Sequence, residues 1–171
     1  TWRRRVGFEA ADEVSRTSAA FGTRVHAACE MVAHGYPAPT DADVALPASC
    51  FAAWFGDEVI EAVAVEKVLI HERHEYGGTT DLIARLRGRG LAVVDIKSSK
   101  SPEFTWPLQL AAYADAWEEM GGEPITHRMV VNLPSNQPGI LRTYTYTDWD
   151  RDDKAWRSAL RLHRYYERRK D

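Results

Sequence analysis

Cysteine is scarce. Cys29 and Cys50 are the only two in 171 residues. Two thiols cannot build a multi-disulfide scaffold, nor a four-cysteine zinc or iron–sulfur site within one chain. Reduced thiols in a cytoplasm are the expectation. Long apolar runs are also missing: none approaches the ~18 residues of a membrane-spanning helix, and no basic stretch leads into a short apolar one as in a secretory signal. Charge of one sign is lacking too. Lys and Arg number 22 against 25 Asp and Glu, a formal net charge of −3. That balance argues against a protein that coats nucleic acid non-specifically. It leaves room for a local DNA site, because a site that holds metal cations needs carboxylates. Internal repeats, low-complexity tracts and long linkers are absent, and the loop-rich stretch 35–47 is too short to separate domains. The chain starts at Thr1 rather than Met, which leaves a truncated N-terminus open.

What is present suits a packed core. The chain is 44% hydrophobic and 27% charged, and its length matches about one domain. Residues 1–171 are therefore expected to form a single domain. Phe21, Val25, Ala28 and Val32 recur as one helical stripe within 18–33, with Gly35 as a stop. A shorter apolar helix is expected over 48–55. Residues 59–70 are rich in β-branched side chains and read as a long strand. Two more strands, 79–86 and 91–97, flank the turn Arg87-Gly88-Arg89-Gly90 and make a hairpin. A helix over 105–120 ends at Gly121-Gly122. Strands follow at 126–133 and 140–147. A last helix spans 149–170, with Thr147 or Asp148 as its cap. Strands that meander, cross over through a helix and continue imply an α/β fold with a mixed central sheet flanked by helices.

The informative stretch runs from Glu66 to Tyr113. Side chains alternate along a strand, so Asp95 and Lys97 share a face and Ile96 points the other way. If the hairpin turns at residues 87–89, Leu82 lies opposite Val94 and Ala84 opposite Ala92, giving one apolar face. Ile83 then meets Val93, and Asp81 meets Asp95, on the other. Two such carboxylates ~4 Å apart repel by about 4 kcal/mol at an effective dielectric near 20. Lys97, a shared proton or a divalent cation could offset this. Oxygen-rich sites suit Mg²⁺ and Mn²⁺, and a cation between carboxylates beside a lysine suits phosphodiester hydrolysis.

Two flanking motifs sharpen the reading: Gly22-Thr23-Arg24-Val25-His26 upstream and Gln109-Leu110-Ala111-Ala112-Tyr113 downstream. With Asp81 and Asp95-Ile96-Lys97 between them, the chain resembles the PD-(D/E)XK nucleases. More narrowly, it resembles their RecB-like branch of phage and CRISPR-associated exonucleases, over about residues 22–113. The resemblance implies a restriction-endonuclease-like core. It implies that His26, Asp81, Asp95 and the main-chain carbonyl of Ile96 hold Mg²⁺ or Mn²⁺. It assigns catalytic roles to Asp81, Asp95, Lys97 and Glu66, and substrate contacts to Gln109 and Tyr113. Lys100 is added as a basic contact, and Trp106 as a stacking platform for an unpaired strand. The proline that often precedes the first aspartate is Thr80 here. The cluster cysteines of some relatives are missing, so no iron–sulfur cluster is expected.

The implied activity is a metal-dependent DNA exonuclease acting on strand ends, single-stranded or duplex. It would work in a bacterial or phage-infected cytoplasm, in recombination or repair, away from membranes. A protein partner or self-assembly would supply processivity. The alternatives are a structure-specific endonuclease of a recombination or defence complex and a non-catalytic DNA-end-binding module. Three further features carry less. Arg157, Arg161, Arg164 and Arg168 recur at helical spacing and read first as a solvated face. His71-Glu72-Arg73-His74 lacks the H-E-x-x-H spacing. Asp148-x-Asp150-x-Asp152 lacks the glycine and the final glutamate of a calcium loop.

Overall fold

The computed structural model describes residues 8–167, with the side chains of residues 8–11 and 14 outside the description. Helix α1 (Phe8–Ala33) and helix α2 (Ala45–Glu58) lead into three strands, β1 (Val59–His71), β2 (Tyr76–Leu86) and β3 (Gly90–Lys97). Helix α3 (Trp106–Glu119) crosses to β4 (His127–Asn132), which is followed by β5 (Arg142–Thr145) and helix α4 (Trp149–Glu167). One five-stranded sheet runs in the order β1-β2-β3-β4-β5. Only β3 and β4 pair in parallel, across the α3 crossover; the other neighbours are antiparallel. This is the expected α/β architecture.

Both faces of the sheet are covered. On one, Val25, Ala28, Cys29 and Val32 of α1 and Phe51 and Trp54 of α2 pack on Leu82, Ala84, Val94 and Ile96. On the other, Trp106, Leu110 and Ala114 of α3 pack on Ile83, Val93 and Val130. The apolar stripe read from α1 is thus the buried one. α1 begins at Phe8 within the described residues rather than at 18, because a polar first half leaves no periodicity to read. Asp148 caps α4 as expected, accepting from Arg151 N at 3.3 Å.

The hairpin register is the expected one, Leu82↔Val94, Ile83↔Val93 and Ala84↔Ala92. Keeping Asp81 out of the core does not explain it, because the second face is covered as well and Asp81 and Asp95 are themselves 9% and 2% exposed. Trp106 is corrected outright: it is 1% exposed, a core side chain that cannot stack on a strand. Its neighbour Phe104 is the aromatic in solvent, at 86%.

Candidate metal and active site

Regular β2–β3 pairing runs from Leu86↔Gly90 to Leu82↔Val94. Just beyond it, Asp81 Oδ2 accepts the Ile96 N–H at 2.5 Å. The carboxylate stands in for the next backbone carbonyl, which fixes it at the end of the sheet. Its Oδ1 is left for His26, whose Nδ1 lies 3.3 Å away. Gly22 explains how α1 comes so near. A Cβ there would meet Ser98 Oγ at 3.1 Å, so the bare glycine lets the helix approach the end of β3. His26, one turn further on, then reaches the sheet end beside its buried neighbour Val25.

Glu66 arrives by a different device. It lies between Val65 and Lys67, which pair with Leu82 and Thr80, so it stands opposite Asp81. Its φ is +46°, a left-handed conformation rare for a residue with a side chain. Strain of this kind costs on the order of 1–3 kcal/mol and collects at functional sites. His26, Glu66 and Asp81 each offer a ligand atom, all within 4.8 Å of one another.

A second group adjoins the first. Asp95 and Lys97 share the α3 face, with Asp95 Oδ2 2.7 Å from Lys97 Nζ. Lys97 Nζ also donates to Gln109 Oε1 at 2.9 Å, and Gln109 Nε2 donates to the Tyr113 hydroxyl oxygen at 2.8 Å. Gln109 and Tyr113 are i, i+4 on α3 and so lie on one face of it. Tyr113 packs against Gly78, where an added Cβ would come within 2.9 Å of its ring. Ile96 turns its side chain into the α1 core and its N–H onto Asp81. Lys100 is exposed, in the loop between β3 and α3.

The electrostatics are those of too much negative charge in too little water. Burial first, and then the Asp81 charge, push the Asp95 carboxyl up to about 6, against relief from Lys97 and His26. Glu66 is raised too, by burial, then by Asp81 and by Glu30. Burial alone would lower His26, but the hydrogen bond to Asp81 and the charges of Asp81 and Asp95 outweigh it, so its pKa is raised. Asp81 and Asp95 thus favour the charged form of the imidazole over the neutral one. An imidazole and carboxylates that converge while two carboxyls resist ionisation fit a divalent ion, whose uptake would displace the His26 proton. The donor set of one nitrogen with oxygens suits Mn²⁺ or Mg²⁺.

No family model and no curated protein matches this sequence. Solved structures do match in shape. One, from Eubacterium rectale and described provisionally as an exonuclease, superposes with a TM-score of 0.57 at 11% identity. The match covers 83% of this chain and 64% of that one. The likeness shows the fold. It is the mixed-sheet core that the resemblance implied, and this chain spans under two thirds of that protein's length.

Some residues escaped the sequence reading. Glu30, one turn beyond His26, lines with Gly22, Thr23 and Glu66 an open groove of about 510 Å³ along α1. A second convergence joins His71, His74 and Asp115. Here Arg157 supplies the cation, with Nη1 2.6 Å from His74 Nε2 and Nη2 donating to Asp115 at 3.3 Å. Arg164 binds the His74 carbonyl and lies 3.8 Å from Glu75. Two of the four stripe arginines therefore hold α4 to the β1–β2 turn instead of facing solvent. Arg161 is exposed, and Arg168 lies outside the described residues. Asp152, from the calcium-loop lookalike, is buried against Arg128 at 2.7 Å. No described helix is long and apolar enough to cross a membrane.

Proposed function

We propose that this chain is a divalent-metal-dependent deoxyribonuclease of the PD-(D/E)XK, RecB-like kind that hydrolyses phosphodiesters from DNA ends. The observation that carries the reading is the convergence of His26, Glu66 and Asp81 within 4.8 Å, with Lys97 held beside it by Asp95 and Gln109. His26, Glu66 and Asp81 would hold Mn²⁺ or Mg²⁺, with Asp95 next to them. The ion supplies Lewis-acid polarisation of the phosphate and a more acidic water.

The chain's own groups do the rest. Lys97 presents an ammonium to a non-bridging phosphate oxygen and offsets the charge that grows there in the transition state. Asp95 and Gln109 hold that ammonium in one orientation, and Tyr113 holds Gln109. Lys100 lies free in solvent to meet the strand backbone. The water oxygen bonds to phosphorus as the P–O3′ bond breaks. A proton passes to the leaving oxygen, and a 5′-phosphate and a 3′-hydroxyl remain.

The test is end-labelled single- and double-stranded DNA incubated with Mn²⁺ or Mg²⁺, alongside a covalently closed single-stranded circle. Hydrolysis of linear DNA that stops with EDTA and with Asp81→Asn supports the reading. An intact circle identifies the exonuclease and a cut circle the endonuclease. Tight DNA binding with no cleavage in any metal points instead to an end-binding module.

A further inference from the structure

Beside Gln109 and Tyr113 opens a cavity of about 370 Å³ that the hydrolytic chemistry leaves unused. Its walls come from three elements. The start of β2 gives Tyr76, Gly77 and Gly78, α3 gives Leu108 and Ala112, and α4 gives Trp156 and Ala159. Apart from Thr105 and Gln109 the lining is aromatic, aliphatic or glycine, and Gln109 and Tyr113 are the groups that link to the Lys97 ammonium.

The wall is braced by contacts of its own. The single Tyr76 hydroxyl proton is shared between the Ala112 carbonyl at 3.0 Å and Asp115 Oδ2 at 3.2 Å. Its ring lies 5.0 Å from His71 and meets Trp156 edge-on at 5.2 Å. The Arg157 and Arg164 anchors hold α4, and with it Trp156, against the same turn. An apolar pocket with a few convergent polar groups is the usual form of a small-ligand site. Pre-organised walls lower the ordering cost of binding.

We infer that this cavity is a subsite for one unpaired nucleobase of the strand being cut. A base has flat faces that stack on aromatic rings and a polar edge that seeks hydrogen bonds. It is also tethered to a phosphate, and within the lining Gln109 lies one hydrogen bond from Lys97 and Tyr113 two. A paired base, stacked on both sides within a duplex, presents neither face. The subsite therefore selects strands that are single or frayed at the reacting nucleotide. It rests on the nuclease reading above, which fixes where the phosphate lies.

The experiment uses a set of single-stranded oligonucleotides, each with 2-aminopurine at one position, bound to the full chain in EDTA. Quenching of that base's fluorescence at one position in the set is expected, as the base enters among Tyr76 and Trp156. Ala159→Phe fills the cavity from an exposed position of α4 and should abolish the quenching while circular dichroism stays native. Trp156→Leu should weaken it. In Mn²⁺, an abasic nucleotide at the quenched position should raise KM about tenfold with kcat nearly unchanged, the scale of one lost base stack. Ala159→Phe should not discriminate against it. Metal-dependent hydrolysis with no position quenched, or with quenching unchanged in Ala159→Phe, overturns the subsite and leaves the nuclease intact. Quenching that Ala159→Phe removes, with no hydrolysis in any metal, supports the subsite and overturns the nuclease reading.

Discussion

Replacing Asp95 by asparagine should stabilise the metal-free protein. The carboxyl is almost wholly buried, and burial followed by the Asp81 charge moves it from 3.8 to about 6. Each pH unit of such displacement corresponds to ~1.4 kcal/mol. The ionised form thus costs about 3 kcal/mol of folding stability near pH 7.5 in EDTA. Because the folded-state value lies above the unfolded one, the contribution of the neutral carboxyl is complete below about pH 4. It is lost as the pH rises through about 6. Asparagine mimics that neutral form at every pH. Urea denaturation in EDTA should show Asp95→Asn ahead by about 3 kcal/mol at pH 7.5, roughly 6–12 °C in Tm for a domain of this size. The gain should shrink toward zero by pH 4. Mn²⁺ should stabilise the wild type by mass action and narrow or reverse the gap. A variant less stable than wild type in EDTA at pH 7.5 would refute the electrostatic account, and would mean that the Lys97 ion pair outweighs desolvation and Asp81.

Other outcomes follow from the same geometry. Glu66→Gly should be more stable than Glu66→Ala by about 1 kcal/mol, because only glycine adopts φ +46° without strain; thermal melts of the pair decide it, and both should lose metal-dependent cleavage. Gly78→Ala pushes a methyl to 2.9 Å from the Tyr113 ring; if the Lys97–Gln109–Tyr113 chain positions the ammonium, kcat should fall while metal binding by calorimetry stays unchanged. Arg128 is fully buried against Asp152 and lies 4.3 Å over the Trp149 ring. Asp152→Ala should therefore cost about 3–5 kcal/mol, with Arg128→Met plus Asp152→Leu recovering much of it in denaturant titrations.

Much of this was legible in the chain because the relevant signals are local. The hairpin register follows from Leu82, Ala84, Ala92 and Val94 alternating around a glycine-rich turn. The His26, Asp81, Asp95, Lys97, Gln109 and Tyr113 positions carry spacings that survive without a structure. What was hidden is three-dimensional. Nothing at Glu66 announces a left-handed residue inside a strand. Asp81 reads as one of a facing pair, yet its carboxylate turns into the sheet plane to take a backbone N–H. Arg157 and Arg164 read as a solvated stripe because their partners, Asp115 and the β1–β2 turn, lie more than 40 residues away in sequence. Trp106 reads as a surface aromatic, since a tryptophan before a helix says nothing of whether another helix and a sheet will close over it.

Anomalous diffraction from a crystal soaked in Mn²⁺ bears most directly on the metal centre. A peak at coordination distance from His26 Nδ1 and an Asp81 oxygen, with Glu66 or Asp95 completing the shell, is the result these contacts require. Density that appears only among His71, His74 and Asp115, or nowhere near Asp81, would contradict it.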